Sequence, residues 1–105
     1  MPELDRIQVL VPTPVHEAIE AACEAEGGTP VSAYCRRLLV EYVSDPRAAL
    51  PAVPPPWERG ARRVQVFLPR ATHEAIDALA RAGKTPLSTY CRRVIVAIMK
   101  ERDDG

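Results

Sequence analysis

Apolar and polar residues alternate along two short stretches of the chain, residues 6–11 and 63–68. Alternation with a period of two residues is typical of a strand with one buried and one exposed face. Each stretch ends at a proline, Pro12 or Pro69, and proline cannot continue a central ladder of hydrogen bonds. The pattern therefore predicts two strands. Their predicted inward side chains are Ile7, Val9, Val11, Val64, Val66 and Leu68, and their predicted outward side chains are Arg6, Gln8, Leu10, Arg63, Gln65 and Phe67.

Two helical periods follow each predicted strand. Apolar side chains recur three and four residues apart, which places them along one stripe of a helix. Glycines at 27, 28 and 83 end the first helix of each pair. The second helix begins at Thr29-Pro30 or Thr85-Pro86, since threonine is a favoured N-cap and proline suits the first helical position. Lys100 to Gly105 are expected to form a short, frayed tail. The predicted stripes are Val15, Ile19, Ala22 and Cys23; Val31, Tyr34, Cys35, Leu38, Leu39 and Tyr42; Thr72, Ile76, Leu79 and Ala80; and Leu87, Tyr90, Cys91, Val94, Ile95, Ile98 and Met99.

The two halves of the chain repeat each other. RIQVLVPTPVHEAIEAACEA from Arg6 matches RVQVFLPRATHEAIDALARA from Arg63 at an offset of 57. TPVSAYCRRLLV from Thr29 then matches TPLSTYCRRVIV from Thr85 at an offset of 56. About half of the aligned positions are identical, which indicates duplication of one strand–helix–helix unit. We therefore predict a first repeat over 1–44, a linker over 45–61 and a second repeat over 62–105.

Five of the eleven prolines lie in the linker. Because proline removes N–H donors and fixes φ, an extended segment is expected there. At roughly 3.1 Å per residue, it is long enough to cross a small domain. Trp57 is the only tryptophan, and we interpret it as an anchor that packs the linker onto the body; a contact with a partner is the alternative.

A single strand–helix–helix unit of about 40 residues has no partner for its strand and too little core to be stable. Two units solve both problems when their strands pair antiparallel and their four helices pack beneath the sheet. The predicted fold class is mostly α with a two-stranded antiparallel ribbon, in which both repeats form one compact intramolecular pseudo-dimer. Exchange of units between two chains would give the same contacts and is the alternative.

Charge and hydropathy exclude several classes of protein. The net charge is zero, but it is −4 over residues 1–57 and +4 over residues 58–105, so neutrality is compatible with a basic face. No apolar run approaches the roughly 20 residues that span a bilayer. The first ten residues lack the basic start of a signal peptide. A cytoplasmic location and no membrane contact are therefore expected.

The sequence contains no recognisable chemistry for an enzyme, a metal or a cofactor. Cys23, Cys35 and Cys91 form no CxxC motif or Cys/His cluster, which argues against zinc and a disulfide framework and favours small buried side chains. His16 and His73 are related by the repeat, and neither has a Cys, Asp or Ser partner at a catalytic spacing. We expect neither catalysis nor a cofactor.

The ordered features of both repeats resemble the ribbon-helix-helix superfamily of Arc, MetJ and CopG, in a tandem single-chain form. These features are the alternating strand, the proline after it and the segment GTPVSAYCRR from Gly28, which the second copy repeats with Lys84 in place of the glycine. The resemblance covers about 80 of the 105 residues. It implies a protein that binds double-stranded DNA through a ribbon in the major groove.

The resemblance also assigns residues to two kinds of DNA contact. Phosphate binding is assigned to the start of the second helix, where free N–H groups favour an anion, and to two arginines of the second copy. Leu10 and Phe67 depart from the polar residue usual at the third reading position, and they contact either thymine methyl groups or another protein. The implied base-reading residues are Arg6, Gln8, Leu10, Arg63, Gln65 and Phe67; the implied phosphate-binding residues are Thr29, Ser32, Arg62, Arg70, Lys84, Thr85 and Ser88.

The expected function is sequence-specific DNA binding, as a transcriptional repressor. A conjugation or partition accessory is the alternative within DNA binding, and a protein-interaction module of antitoxin or anti-defence type is the alternative of another class. One chain suffices as a pseudo-dimer, with two chains side by side on DNA as the alternative.

The paired arginines of the second helix are interpreted as a solvated face or as ion-pair partners of the first helix, with contacts between neighbouring units on DNA as the alternative. These are Arg36, Arg37, Arg92 and Arg93.

Overall fold

The computed structural model describes residues 3–46, 50 and 60–104. Within these ranges the chain is mostly helical and contains four helices and a two-stranded antiparallel sheet. The predicted order of strand, helix and helix, found twice, is confirmed. None of the described helices is both long enough and apolar enough to cross a membrane. The elements are β1 (Leu4–Pro12), α1 (Thr13–Ala25), α2 (Val31–Ser44), β2 (Ala61–Pro69), α3 (Arg70–Ala82) and α4 (Leu87–Asp104).

β1 and β2 pair antiparallel along their full length and form the ribbon. Gln8 lies opposite Gln65 at the centre of a register of nine residue pairs. The alternation predicted from the sequence is confirmed, because buried and exposed side chains take turns from Arg6 to Val11 and from Arg63 to Leu68. The buried side chains are Ile7, Val9, Val11, Val64, Val66 and Leu68.

Each strand leads into a helix without a loop because a proline stands at the junction. Pro12 and Pro69 occupy the N-cap positions of α1 and α3, each with a φ of −53°, which is close to the value that the proline ring imposes. Thr13 at the start of α1 donates its backbone N–H to the carbonyl oxygen of Gly60 (3.3 Å). The start of α3 makes the corresponding bond to the residue before β1. Each junction is thus tied to the other half of the chain.

The inward face of the ribbon and the helices enclose one shared core. α2 packs on β2 and α4 packs on β1, so each of these helices covers the strand of the other half. Tyr42 of α2 and Tyr90 of α4 meet between the two helices, with their hydroxyl oxygens 2.8 Å apart. Neither half therefore has a hydrophobic interior of its own. The fully buried helix side chains include Ile19, Cys35, Leu38, Leu39, Ile76, Cys91, Val94 and Ile95.

A residue in the left-handed conformation follows the first helix of each half. Gly28 has a φ of 100°, and Lys84, its counterpart in the second half, has a φ of 52°. Glycine adopts this conformation freely, whereas a residue with a Cβ does so at a cost on the order of 1 kcal/mol. The turn reverses the chain so that the amides of Thr29 and Thr85 donate back to the last turn of the preceding helix. The second half thus places a strained lysine where the first half has glycine.

The predicted frayed tail is wrong, because α4 continues to Asp104. Arg102, in the last turns of α4, donates one hydrogen bond to the Tyr34 hydroxyl (2.7 Å) and another to Glu41 Oε2 (3.3 Å). Both partners belong to α2. These contacts hold the end of α4 against α2. They stabilise the last turns of α4, for which the local sequence pattern predicted no helix.

The predicted capping of the second helices by threonine is also wrong. Pro30 holds the N-cap position of α2, and no side chain caps this helix. The Thr29 hydroxyl donates instead to Glu26 Oε1 (3.1 Å), and the Thr85 hydroxyl donates to the carbonyl oxygen of Gly83 (3.0 Å). Each threonine stands one residue before the cap position, so its hydroxyl stabilises the preceding turn.

Most of the predicted linker, including Trp57, lies outside the described residues. Leu50 is described, and its side chain packs against the core. β2 begins at Ala61, which the sequence placed last in the linker. The anchoring role of Trp57 stays a prediction.

Leu38→Ala is expected to lower the free energy of unfolding by about 2–5 kcal/mol, because the Leu38 side chain is fully buried. Leu10→Ala removes the same atoms from a side chain that is 42% exposed, and should change that free energy by only about 0.5 kcal/mol. Urea denaturation of both variants measures the difference. Equal losses would contradict the assignment of Leu38 to the core.

Lys84→Gly is expected to raise the free energy of unfolding by about 1 kcal/mol, since glycine relieves the left-handed strain. Gly28→Ala is the matched reverse change and should lower it by a similar amount. A Cβ added at Gly28 meets no atom within 4 Å, so this variant isolates the backbone conformation. Thermal denaturation checks both, and a less stable Lys84→Gly protein would show that the lysine side chain contributes more than its strain costs.

Candidate nucleic-acid interface

The outer face of the ribbon brings together all six residues predicted to read bases. The antiparallel register sets them as three facing pairs, each with one member from either half of the chain. All six side chains are exposed. They therefore form one continuous surface that a partner can reach. The pairs are Arg6 with Phe67, Gln8 with Gln65, and Leu10 with Arg63.

This face carries positive charge and polar groups, and it has no carboxylate among its strand residues. Two guanidinium groups and two amides lie on it, and the strand ends add Leu4, Ala61 and Pro69. Guanidinium groups only donate hydrogen bonds, whereas amides both donate and accept them. The face therefore complements a surface that presents acceptors together with mixed donor–acceptor pairs, as the base edges in the major groove do.

Leu10 and Phe67, each 42% exposed, are large apolar members of the outer face, in addition to Leu4 at the strand end. They occupy equivalent positions of the two repeats, and each lies across the ribbon from an arginine. Single exposed apolar residues are common on protein surfaces. Two large ones at equivalent positions of a charged face favour contact with a partner over simple solvent exposure.

The starts of α2 and α4 hold the predicted phosphate-binding groups. The prolines before these helices accept the first intrahelical hydrogen bonds, from the amides of Tyr34 (3.0 Å) and Tyr90 (2.9 Å), so the amides between are not used within the helix. Ser32 and Ser88 lie in these first turns, half-buried and exposed respectively. Lys84 is exposed next to the start of α4. The second start is therefore the more positive and the more accessible.

The donors of Thr29 and Thr85 are already engaged. Their amides donate to the preceding helix, and their hydroxyls donate to Glu26 and to the carbonyl oxygen of Gly83. The hydrogen bonds that Glu26 accepts from Arg37 and Thr29 lower the pKa of this carboxyl, so it is ionised at neutral pH. A carboxylate beside Thr29 disfavours a phosphate there. The geometry thus favours Ser32, Ser88 and Lys84 over the two threonines.

The two arginines assigned to phosphate binding, Arg62 and Arg70, lie at opposite ends of β2. Arg62 is the second residue of β2, and Arg70 follows the last one. At ~3.3 Å per residue, roughly 25 Å separates them. Arg70 forms ion pairs with Glu3 and Asp5. Arg62 is exposed and pairs with no acidic side chain of the described ranges.

Asp5 joins β1 to α3 at the end of the ribbon where Arg70 lies. His73 Nδ1 is 2.9 Å from Asp5 Oδ2, and a guanidinium nitrogen of Arg70 is 3.6 Å from Asp5 Oδ1. The hydrogen bond with His73 and the charge of Arg70 hold the pKa of Asp5 below its usual value, although partial burial opposes them. This cluster was not predicted from the sequence. Acids at the start of one strand and a base after the other indicate a cluster only once the register is known.

The paired arginines of the second helices take different positions. Arg37 donates to Glu26 at the C-cap of α1, and its guanidinium carbon lies 5.0 Å from the centroid of the Tyr34 ring. This arrangement agrees with the interpretation of an ion-pair partner for the first helix. The other three are half-buried and do not form an exposed basic patch: Arg36, Arg92 and Arg93.

The histidines and cysteines make structural contacts. His16 Nδ1 lies 2.8 Å from Glu20 Oε1, one turn further along α1. Burial raises the pKa of the Cys35 and Cys91 thiols to about 12, so both stay protonated at neutral pH. In the part of the chain that the structure describes, no three His, Cys, Asp or Glu side chains are grouped so as to hold a metal ion.

Comparison of the chain with known protein families, with curated proteins and with solved structures gave no match. The case for a function therefore depends on the geometry and chemistry of the ribbon.

Asp5→Asn is expected to lower the melting temperature at pH 7, where the carboxylate accepts a hydrogen bond from His73 and forms an ion pair with Arg70. Folding depresses the pKa of Asp5. The contribution of Asp5 to the stability of the fold is therefore present above its pKa in the unfolded state, and it is lost as the pH falls through its pKa in the folded state. The difference between wild type and variant should therefore shrink below about pH 4. Thermal denaturation at pH 7 and at lower pH measures it. Glu24→Gln, an exposed acid of α1, is the control, and a difference that does not change with pH would contradict the cluster.

Proposed function

We propose that the chain is a sequence-specific double-stranded DNA-binding protein that inserts its ribbon into the major groove and represses transcription by covering promoter DNA. The observation that carries the proposal is the outer face of the ribbon, where six exposed side chains from both halves form three facing pairs. Repression of this kind needs no chemistry beyond binding, because a protein seated in the groove blocks access to the same DNA.

The dimensions of the ribbon suit the groove. Two paired strands lie ~4.8 Å apart, and the major groove of B-DNA, roughly 12 Å wide, admits a two-stranded ribbon. The three outward side chains of each strand span about 13 Å, since residues rise ~3.3 Å each along a strand. At ~3.4 Å per base pair, this length corresponds to about four base pairs. We therefore expect a short recognition core.

Each outward side-chain type has a match on a base edge. Arg6 and Arg63 suit guanine, whose O6 and N7 accept two hydrogen bonds from one guanidinium group. Gln8 and Gln65 suit adenine, and the apolar side chains suit the thymine methyl group. Because the glutamines face each other at the centre of the register, we expect A·T pairs in the middle of the site. Guanine and thymine are expected towards its ends.

We also infer that the two halves act as an intramolecular pseudo-dimer. Three observations support this: the register is centred on Gln8 and Gln65, the two halves repeat in sequence, and α2 and α4 each cover the strand of the other half. An approximate twofold axis through the central pair then exchanges Arg6 with Arg63. Such an axis matches the approximate twofold symmetry of a DNA site bound by a dimer. One chain would then suffice for one site.

A protein-interaction module of antitoxin or anti-defence type is the second candidate. Leu10 and Phe67 expose large apolar surfaces on the ribbon, and the zero net charge weakens long-range attraction to DNA. Salt distinguishes the two functions, because DNA binding weakens steeply as salt rises. A conjugation or partition accessory would use the same DNA contacts as a repressor and is a variant of the first proposal.

Selection from random-sequence duplexes tests DNA binding, and wild type is expected to enrich a short motif. Gln8→Ala/Gln65→Ala should bind that motif at least about tenfold more weakly, since each bidentate contact contributes roughly 1–3 kcal/mol of discrimination. The motif should relax at its centre. Lys100→Ala changes an exposed residue in the later part of α4, and it serves as the surface control.

The outcomes separate the candidates. Absence of any enriched duplex at low salt would exclude DNA binding as the function, and a pull-down comparing wild type with Leu10→Ser/Phe67→Ser would then test for a protein partner. An enriched motif that the double glutamine variant binds unchanged would retain DNA binding and exclude readout by the ribbon.

A further inference from the structure

We propose that the ribbon grips the DNA backbone at one end only, through Arg62, while Glu3 and Asp5 hold Arg70 away from the backbone at the other end. The inference rests on the proposed function and concerns how the same ribbon is held. The end where β1 begins and β2 ends, with Glu3, Asp5 and Arg70, is called the paired end. The end where β2 begins and β1 ends, with Arg62 and Pro12, is called the open end.

At the paired end, the Arg70 guanidinium is already bound by two carboxylates. It contacts Glu3 Oε2 and lies 3.6 Å from Asp5 Oδ1. The backbone reinforces this position, because the Arg70 amide donates to the Glu3 carbonyl oxygen (3.2 Å). His73 holds Asp5 from the other side at 2.9 Å. The charges of Glu3, Asp5 and Arg70 sum to −1, so this group of three side chains does not attract phosphate.

At the open end, the position equivalent to Asp5 is occupied by Arg62, which reverses the charge. Arg62 is exposed, and no hydrogen bond or ion pair joins it to another described residue. The position equivalent to Arg70 is Thr13, which is uncharged. A guanidinium group binds phosphate with two parallel hydrogen bonds. Arg62 lies opposite the buried Val11, so its side chain starts from the inward side of the ribbon and is exposed at its end. It is therefore available for a contact with the backbone beside the groove.

The two arginines differ in what each must lose to bind a phosphate. Arg70 must leave one anionic partner for another, and the carboxylates of Glu3 and Asp5 would then face the DNA backbone uncompensated. Arg62 has no ion pair with the described residues to break. An exposed ion pair is weak by itself. The repulsion between the two carboxylates and a phosphate adds to it, and both oppose the binding of phosphate by Arg70. Of the two ends of the ribbon, the open end thus attracts the backbone more strongly.

The salt dependence of binding to the selected duplex tests the role of Arg62. One phosphate contact contributes about 0.9 to the slope of log K against log salt concentration. Arg62→Ala is expected to lower the magnitude of the slope by about that amount and to weaken all duplexes alike, since phosphate contacts carry no sequence information. The selected motif should not change. Lys100→Ala removes the same charge far along α4, and should lower the slope much less.

Release of Arg70 tests the paired end. Glu3→Gln/Asp5→Asn is expected to raise the magnitude of the slope by about 0.9, because Arg70 then reaches a phosphate. Adding Arg70→Ala to this double variant should abolish the gain. Glu17→Gln/Glu24→Gln removes two exposed acids of α1, and it controls for the change in net charge. Melting temperatures confirm that each variant is folded at the temperature of the assay.

Two results would overturn the inference. One is an Arg62→Ala slope equal to that of Lys100→Ala. The other is a gain in Glu3→Gln/Asp5→Asn that persists without Arg70 or that the α1 control reproduces. Both results are measured on a duplex that the wild-type protein enriches. If the proposed function is wrong, the wild-type protein enriches no duplex, and this outcome is distinct from the two results above. The Arg62 measurement stands even if the change at Asp5 destabilises the protein.

Discussion

The pairing of β1 with β2 is the interaction on which the other contacts depend. A two-stranded ribbon is marginal in water unless something packs on one face, and a lone strand is weaker still. Pairing turns the apolar side chains of both strands to one side, and the helices cover that side. Because α2 lies on the strand of the second half and α4 on the strand of the first, the core closes only when the two halves meet.

The same pairing creates the outer face and allows its two ends to differ. A homodimer would carry identical groups at both ends of its ribbon, whereas the two halves of one chain can differ. The second half is the more basic at three equivalent positions, in agreement with its net charge of +4 against −4 for residues 1–57. Arg70, in place of a threonine, forms an ion pair with Asp5 of the other half. Lys84, in place of a glycine, adopts a strained conformation. The equivalent positions are Asp5 and Arg62, Thr13 and Arg70, and Gly28 and Lys84.

Local order could be predicted from the sequence because it depends on periods and on the geometry of single residues. The alternation along 6–11 and along 63–68 assigns faces to each strand without knowledge of its partner, so the six outward residues were correctly identified. The prolines at 12 and 69 end the strands for a reason contained in their own rings. The helical stripes follow from a period of 3.6 residues, and their central members are buried.

Contacts between residues far apart in the chain were decided by the tertiary structure alone. The register determines that Arg6 faces Phe67 and that Arg62 and Arg70 occupy opposite ends of the ribbon. Packing of α4 on α2 brings Arg102 to Tyr34 and so orders turns that were expected to fray. Ion pairs and hydrogen bonds such as these act over a few ångströms. No local pattern of residues encodes such a distance, which exists only after the strands have paired and the helices have packed.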